Sequence, residues 1–312
     1  MSLLFARLRL PVVACTLLLA ATSLAQAADA IAWKFSPGLV NRFQMNQETK
    51  VTKTGAGGDM SVDTLLIIDL SWAVKEVNAD GSAVLEQKID RMRMTVTTSD
   101  GLKSEIDTAS KEPAQGQAAM AAPLLKAITG NVFVITMTPR GEVTNVVVPD
   151  GVTEALKNQP GAPQMGELAS AEGFKKLVGQ ASFVLPEALT VGKEWTSTTE
   201  SKLPLVGTQK AVTTYKYEGP TVQDETKLEK FTAKVEISFS GGEVTVEVPS
   251  QESNGEILFN AEAGRLEQSK ITQVTNLKIS NLKIPELKDA AGQVVEQKIE
   301  QTIGVKWVPS VD

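Results

Sequence analysis

Histidine is missing from all 312 residues, and cysteine occurs once, at Cys15. Those two gaps remove disulfides, Cys/His zinc sites, haem ligation through His, Cys nucleophiles and every triad with a His base. Aromatic side chains are sparse, with four Trp and two Tyr, so the ring platforms that hold glycans are in short supply. The 31 Lys and Arg are interspersed among 37 Asp and Glu, and no basic stripe is present to attract a nucleic acid or an anionic membrane. No segment after residue 24 is continuously apolar, so no spanning helix is expected there.

The first 27 residues read as a secretory signal peptide: Arg7 and Arg9 precede an apolar run from Pro11 to Leu24, and Ala25-Gln26-Ala27 closes it. Export to the periplasm or the extracellular space is the expectation. Val12-Val13-Ala14-Cys15 formally resembles a lipobox, but the apolar run continues past Cys15 to Leu24, so lipid anchoring there is not expected. Loss of the leader removes two arginines and moves the net charge from −6 to −8. Without disulfides the exported chain must be held by burial, and its length suffices for one large or two modest cores.

What the chain has is alternation. Val62, Thr64, Leu66, Ile68, Leu70, Trp72 and Val74 fall in one phase, with Asp63, Asp69, Ser71 and Lys75 in the other, the signature of a long strand with one buried face. Leu65 and Ile67 make its middle apolar on both sides, which predicts cover on both faces there, with a helix as one source. Asn78 to Ser82 contains Asp-Gly and predicts a hairpin turn. On the return strand Leu85 and Ile89 are in one phase and Met92, Met94 and Val96 in the other, which predicts a β-bulge near Asp90 or Arg91. Phe231 to Phe239 and Val295 to Trp307 alternate in the same way.

Two stretches share one order of strand, glycine turn and return strand: Val132 to Val148 and Ile257 to Ile279. Gly141-Glu142-Val143 in the first matches Gly264-Arg265-Leu266 in the second, each Gly taking the positive φ of a hairpin corner. Gly192 and Trp195 likewise answer Gly38 and Phe43. These matches leave two alternatives open, a weak internal repeat or the ordinary reuse of turn residues. The fold expected is mainly β: a large curved antiparallel sheet of about a dozen strands, as two halves of a weak repeat or as one series, with a few short helices. Residues 28–150 form a first β-rich half, 151–184 a helical connector or lid, and 185–312 a second half. Helices are expected within Glu112 to Ile128, at Thr153 to Asn158 and at Ser170 to Gln180.

Motifs of chemistry are weak. Ser280-Asn281-Leu282-Lys283 spells S-x-x-K but lies in a strand-like stretch, where positions three apart face opposite ways. Asn78, Asp80, Ser82 and Glu86 lack the Gly and Glu spacing of an EF-hand and read as a turn. No pair of carboxylates stands out for hydrolysis. No cofactor or metal site is expected.

The remaining candidate is the apolar strand face of Leu66, Ile68, Leu70, Trp72, Met92 and Met94. Burial of each large side chain contributes roughly 1.5–3 kcal/mol in any sheet, so core packing alone accounts for them. A functional reading adds an unfilled apolar cavity, for which adaptable methionines, Met120 included, are suited.

Leu185-Pro186 with Leu189-Thr190-Val191-Gly192-Lys193-Glu194-Trp195, Phe259 to Leu266, and Met137 to Val143 together resemble a family of uncharacterised exported bacterial β-rich proteins. The resemblance covers most of the chain beyond the leader and implies no activity. A looser likeness at the level of fold is to periplasmic lipoprotein carriers and lipid-binding lipoproteins, whose curved sheet is closed by helices over an apolar cavity. The expected function is therefore non-enzymatic binding in the bacterial envelope, with a lipid or other apolar molecule as ligand. The alternatives are a fully packed envelope structural or interaction module, with an envelope protein as partner, and an Asp/Glu hydrolase.

Overall fold

The computed structural model describes residues 31–54, 59–116, 118–157, 183–203, 205–281 and 294–309. The expected signal peptide with Cys15, the helix expected at Ser170 to Gln180, and the S-x-x-K residues Leu282 and Lys283 lie outside them.

Twelve strands and two helices are formed among the described residues: β1 Val40–Thr54, β2 Met60–Val77, β3 Ala83–Thr98, β4 Lys103–Asp107, α1 Ala118–Ile128, β5 Val132–Met137, β6 Val143–Val147, α2 Asp150–Lys157, β7 Glu194–Leu203, β8 Gly207–Gln223, β9 Thr226–Gly241, β10 Thr245–Asn260, β11 Arg265–Ser280 and β12 Val295–Val308. They build one antiparallel sheet in the order β6-β5-β3-β2-β1-β12-β11-β10-β9-β8-β7, with β4 also paired to β3. β12 lies beside β1 over thirteen residue pairs, from Arg42 opposite Val308 to Thr54 opposite Glu296, so strands from both ends of the chain share the sheet's centre.

The alternation of β2 places Ile68, Leu70, Trp72 and Val74 on one buried face. The expected bulge is present: Leu70 opposes Ile89 and Asp69 opposes Arg91, leaving Asp90 as the extra residue. It absorbs the phase change, so Ile89 and Met92 both enter the core. The same point on β3 is where its outer partner changes, from β5 over Ala83 to Lys88 to β4 over Arg93 to Thr97.

Among the described residues, cover on the second face of β2 is not found. Leu65 is 36% exposed and no described element lies over it; α1 and α2 pack instead against β3, β4 and each other. A Leu that alternation assigns to the polar face stays there when its neighbours on adjacent strands, Glu48 and Thr95, are polar.

The two openings noticed in the sequence are alike in hydrogen bonding. Leu39 N donates to Ser36 O at 3.0 Å and Lys193 N to Thr190 O at 2.9 Å, with Gly38 and Gly192 at φ +83° and +84°, the arrangement of a type II turn. Gly38 N then donates to Val74 O on β2, and Gly192 N to Tyr217 O on β8.

The two glycine hairpins are tied by a strap, Ile31 to Phe35. Trp33 N donates to Pro139 O at 2.7 Å, and the next residue, Lys34 N, donates to Gly264 O at 2.9 Å. In a flat sheet those turns would stand five to six strand spacings apart, roughly 24–29 Å. Two successive peptide groups reach no further than about 4 Å apart, so the sheet is curled until both turns meet the strap. It does not close into a barrel, since β6 and β7 are not paired with each other. Close fit explains the glycines: a Cβ on Gly264 would lie 2.3 Å from Lys34, and one on Gly141 would lie 2.3 Å from Phe183 O. The residues two beyond each turn glycine, Val143 and Leu266, are both buried.

Candidate functional site

Strand pairing brings all six residues of the predicted apolar face onto one side of the sheet: Leu66 opposes Met94, Ile68 opposes Met92, and Leu70 and Trp72 follow along β2. Their surroundings differ. Ile68, Leu70, Trp72 and Met92 are 4–8% exposed and belong to the packed core, whereas Leu66 and Met94 are partly exposed at its margin. The core is closed by rings. Trp33 lies 6.0 Å from Trp72 and 5.3 Å from Phe259, and Phe43 lies 5.1 Å from Trp72. Trp33 Nε1 donates to Phe183 O at 2.9 Å. A second group forms where Phe183 lies 4.9 Å from Phe231 and Trp195 stacks on Tyr215. The void enclosed by Trp33, Phe43, Leu70, Trp72 and neighbours measures about 10 Å³, enough for one water at most. The side chain of Met120 lies outside the described residues. Of the other tryptophans on predicted apolar faces, Trp307 is partly buried beneath the guanidinium of Arg265, 3.7 Å from the ring centre.

Past the core the same face continues in three rows across β3, β2, β1, β12 and β11. The first is Met94, Leu66, Gln47, Ile303 and Ile271; the second Val96, Thr64, Thr49, Gln301 and Gln273; the third Thr98, Val62, Val51, Ile299 and Thr275. None of these fifteen positions carries a charge. Aliphatic side chains in the outer rows are mostly partly exposed, and the middle row past the buried Val96 is amide and hydroxyl, with Gln301 Nε2 donating to Thr49 Oγ1 at 3.3 Å.

The opposite face carries an open trough of about 650 Å³ over the same five strands. Its side chains include Thr95, Leu65, Glu48 and Thr302, then Asp63, Lys50 and Glu300 side by side. Lys298 donates to Glu300 at 2.9 Å and holds that carboxyl below its usual range. Next to the trough Arg93 donates to both oxygens of Asp69, at 2.8 and 2.6 Å. No local pattern marks this trough, because Lys50, Asp63 and Glu300 become neighbours only through register.

Among the described residues no group of three or more His, Cys, Asp or Glu is placed to hold a metal ion, and no helix is long and apolar enough to cross a membrane. The carboxyls with resolved shifts, Asp80, Asp100, Asp107, Glu218 and Glu300, all move downward, each led by a hydrogen bond from a neighbouring side chain. Burial pushes the Tyr217 phenol well up, helped by its hydrogen bond to Glu229.

Residues 80–264 match the profile of a family of unknown function (DUF6263). The chain belongs to this family. The matched region runs from the Asp80 turn to Gly264 and so takes in the first glycine hairpin whole and the second as far as its turn. A search of curated proteins finds no match. Among solved structures, distant likenesses include lipovitellin, described for its lipid–protein interactions, at 12% identity and TM-score 0.41 over 89% of this chain and 26% of that one. DynF from the dynemicin pathway of Micromonospora chersina follows at 7% identity and TM-score 0.19, over 89% and 85% of the two chains. A DUF1329 family protein from Desulfovibrio piger has 7% identity and TM-score 0.14, over 86% and 87%. The chain thus spans about a quarter of the lipovitellin chain.

Proposed function

We propose that this chain is an exported, non-enzymatic binding protein of the bacterial envelope that holds a lipid or other apolar ligand against the curled sheet. The observation that carries this reading is the charge-free, partly exposed strip beyond the core, centred on Leu66, Met94, Ile271, Ile303, Val51 and Ile299. Apolar surface left partly in water is unfavourable by roughly 25 cal/mol per Å², and an alkyl chain laid along it would remove that cost. The row of amides and hydroxyls between the aliphatic rows suits a ligand with an uncharged polar group. This reading sets the ligand beside the core rather than in it, since Ile68, Leu70, Trp72 and Met92 are already packed.

The test is to express the chain with its own leader, purify the exported form without detergent, and compare native with denatured mass. A few hundred daltons lost on denaturation, roughly the mass of one lipid, and reduced in a Leu66→Asn/Met94→Asn variant that still folds, is the expected result. Equal masses together with no uptake of a fluorescent lipid would sink it. The second reading, a packed interaction module, would then stand, and the 10 Å³ void beside Trp33 is what favours it.

A further inference from the structure

We infer that β7 is a self-pairing edge, through which two copies of this chain join their sheets. Among the described residues β7 is bonded to β8 alone and ends the sheet. It pairs with β8 over all ten residues from Glu194 to Leu203 without a register shift, and it contains no proline. Bulges, prolines, short length and charged side chains are the usual means of blunting an edge; β7 has only the last, in Glu194, Glu200 and Lys202, and those charges complement each other in the pairing below. The other terminal strands are blunted: β6 has five residues and a register shift, and β4 has five residues.

The sequence of β7, Glu-Trp-Thr-Ser-Thr-Thr-Glu-Ser-Lys-Leu, is complementary to itself in one antiparallel register. With Thr198 on the two-fold axis, Glu194 faces Lys202 of the second copy at both ends, Thr196 faces Glu200, and Ser197 faces Thr199. Moving the axis to Ser197 sets Glu194 against Glu200, and moving it to Thr199 leaves Glu194 and Lys202 without opposite charges. Glu194, Glu200 and Lys202 are exposed, and neither Glu194 nor Lys202 has an ion-pair partner among the described residues. Threonine and serine fill the middle of the strand, and threonine's β-branch suits an extended edge. Pairing would add about eight to ten main-chain hydrogen bonds and a two-fold, isologous contact of the commonest kind in oligomers. The area of one strand pair is small, so a dimer that forms and separates with concentration is the outcome to look for.

Sedimentation of the purified chain from about 1 µM to about 0.2 mM tests this. Expected is a monomer that moves toward twice its mass as concentration rises. Glu194→Lys or Lys202→Glu alone should weaken the dimer roughly tenfold by setting like charges opposite, and the double swap should restore it. Thr198→Cys in a Cys15→Ser background places one thiol per chain on the axis, and mild oxidation should give a reducible dimer. A monomer throughout the range would overturn the inference. So would a dimer that ignores both single swaps, or one that does not cross-link at position 198.

Discussion

Asp107 shows how much one residue contributes at the rim of this sheet. It ends β4, and its carboxylate accepts from Arg91 Nε at 2.9 Å, from Arg91 Nη2, and from Ala109 N at 3.0 Å. The Arg91 hydrogen bonds hold its carboxyl down at about 2. A depressed carboxyl stabilises the fold above its unfolded value near 3.8, and that contribution is lost as pH falls toward 2. The two side chains are 43% and 29% exposed, so water screens the pair and its contribution is about 1 kcal/mol or less. Asp107→Asn should therefore lower the urea midpoint modestly near pH 6, and the gap to the parent chain should close as pH approaches about 2. A gap that stays constant over that window would place the effect elsewhere than in this ion pair.

The β3 strand carries the clearest lesson at the scale of an element. Its bulge was legible because Ile89 and Met92 lie an odd number of positions apart yet both are apolar, and only an extra residue lets both face the core. Removing Asp90 leaves Leu70 opposite Ile89 and Asp69 opposite Arg91, so both faces stay in phase. The expected cost is about 1–3 kcal/mol, from altered bonds where Ile89 O meets Gly130 N and Met92 N meets Thr108. Removing Glu86 is different. The bulge would straighten to take up the loss, turning Lys88 and Asp90 toward Trp72 and Leu70 on the core face. That change should cost more than about 5 kcal/mol and abolish a cooperative unfolding transition. Circular dichroism during urea titration of the two deletions decides it; equal effects would mean that the bulge does not absorb register. Local pattern also revealed the Asp80 turn and both glycine hairpins. It fails at Leu65, where an apolar residue in the polar phase predicts cover that no described element supplies. It was silent on β12 beside β1, because nothing in either strand specifies a partner more than two hundred residues away.

At the scale of the whole molecule, the curl of the sheet depends on a short strap whose importance is not visible in its composition. Trp33 is 4% exposed, touches Trp72 from β2 and Phe259 from β10, and donates through its ring to Phe183. Its peptide group and that of Lys34 bind the β5–β6 and β10–β11 turns. The two hairpins that look alike in sequence are thus held by adjacent residues of one segment. Trp33→Ala should cost about 3–5 kcal/mol as a large core truncation. Trp33→Phe keeps most of the packing, loses the bond to Phe183 O, and should cost about 1–2 kcal/mol. An ordinary core cavity would loosen its own neighbourhood, whereas loss of the strap should release both turns. Hydrogen exchange read by mass spectrometry should therefore show protection falling together in residues 132–147 and 257–280 of Trp33→Ala, with little change in β8 and β9. Faster exchange in one hairpin alone would mean that the strap rests on that hairpin and that the curl is held by strand twist without it.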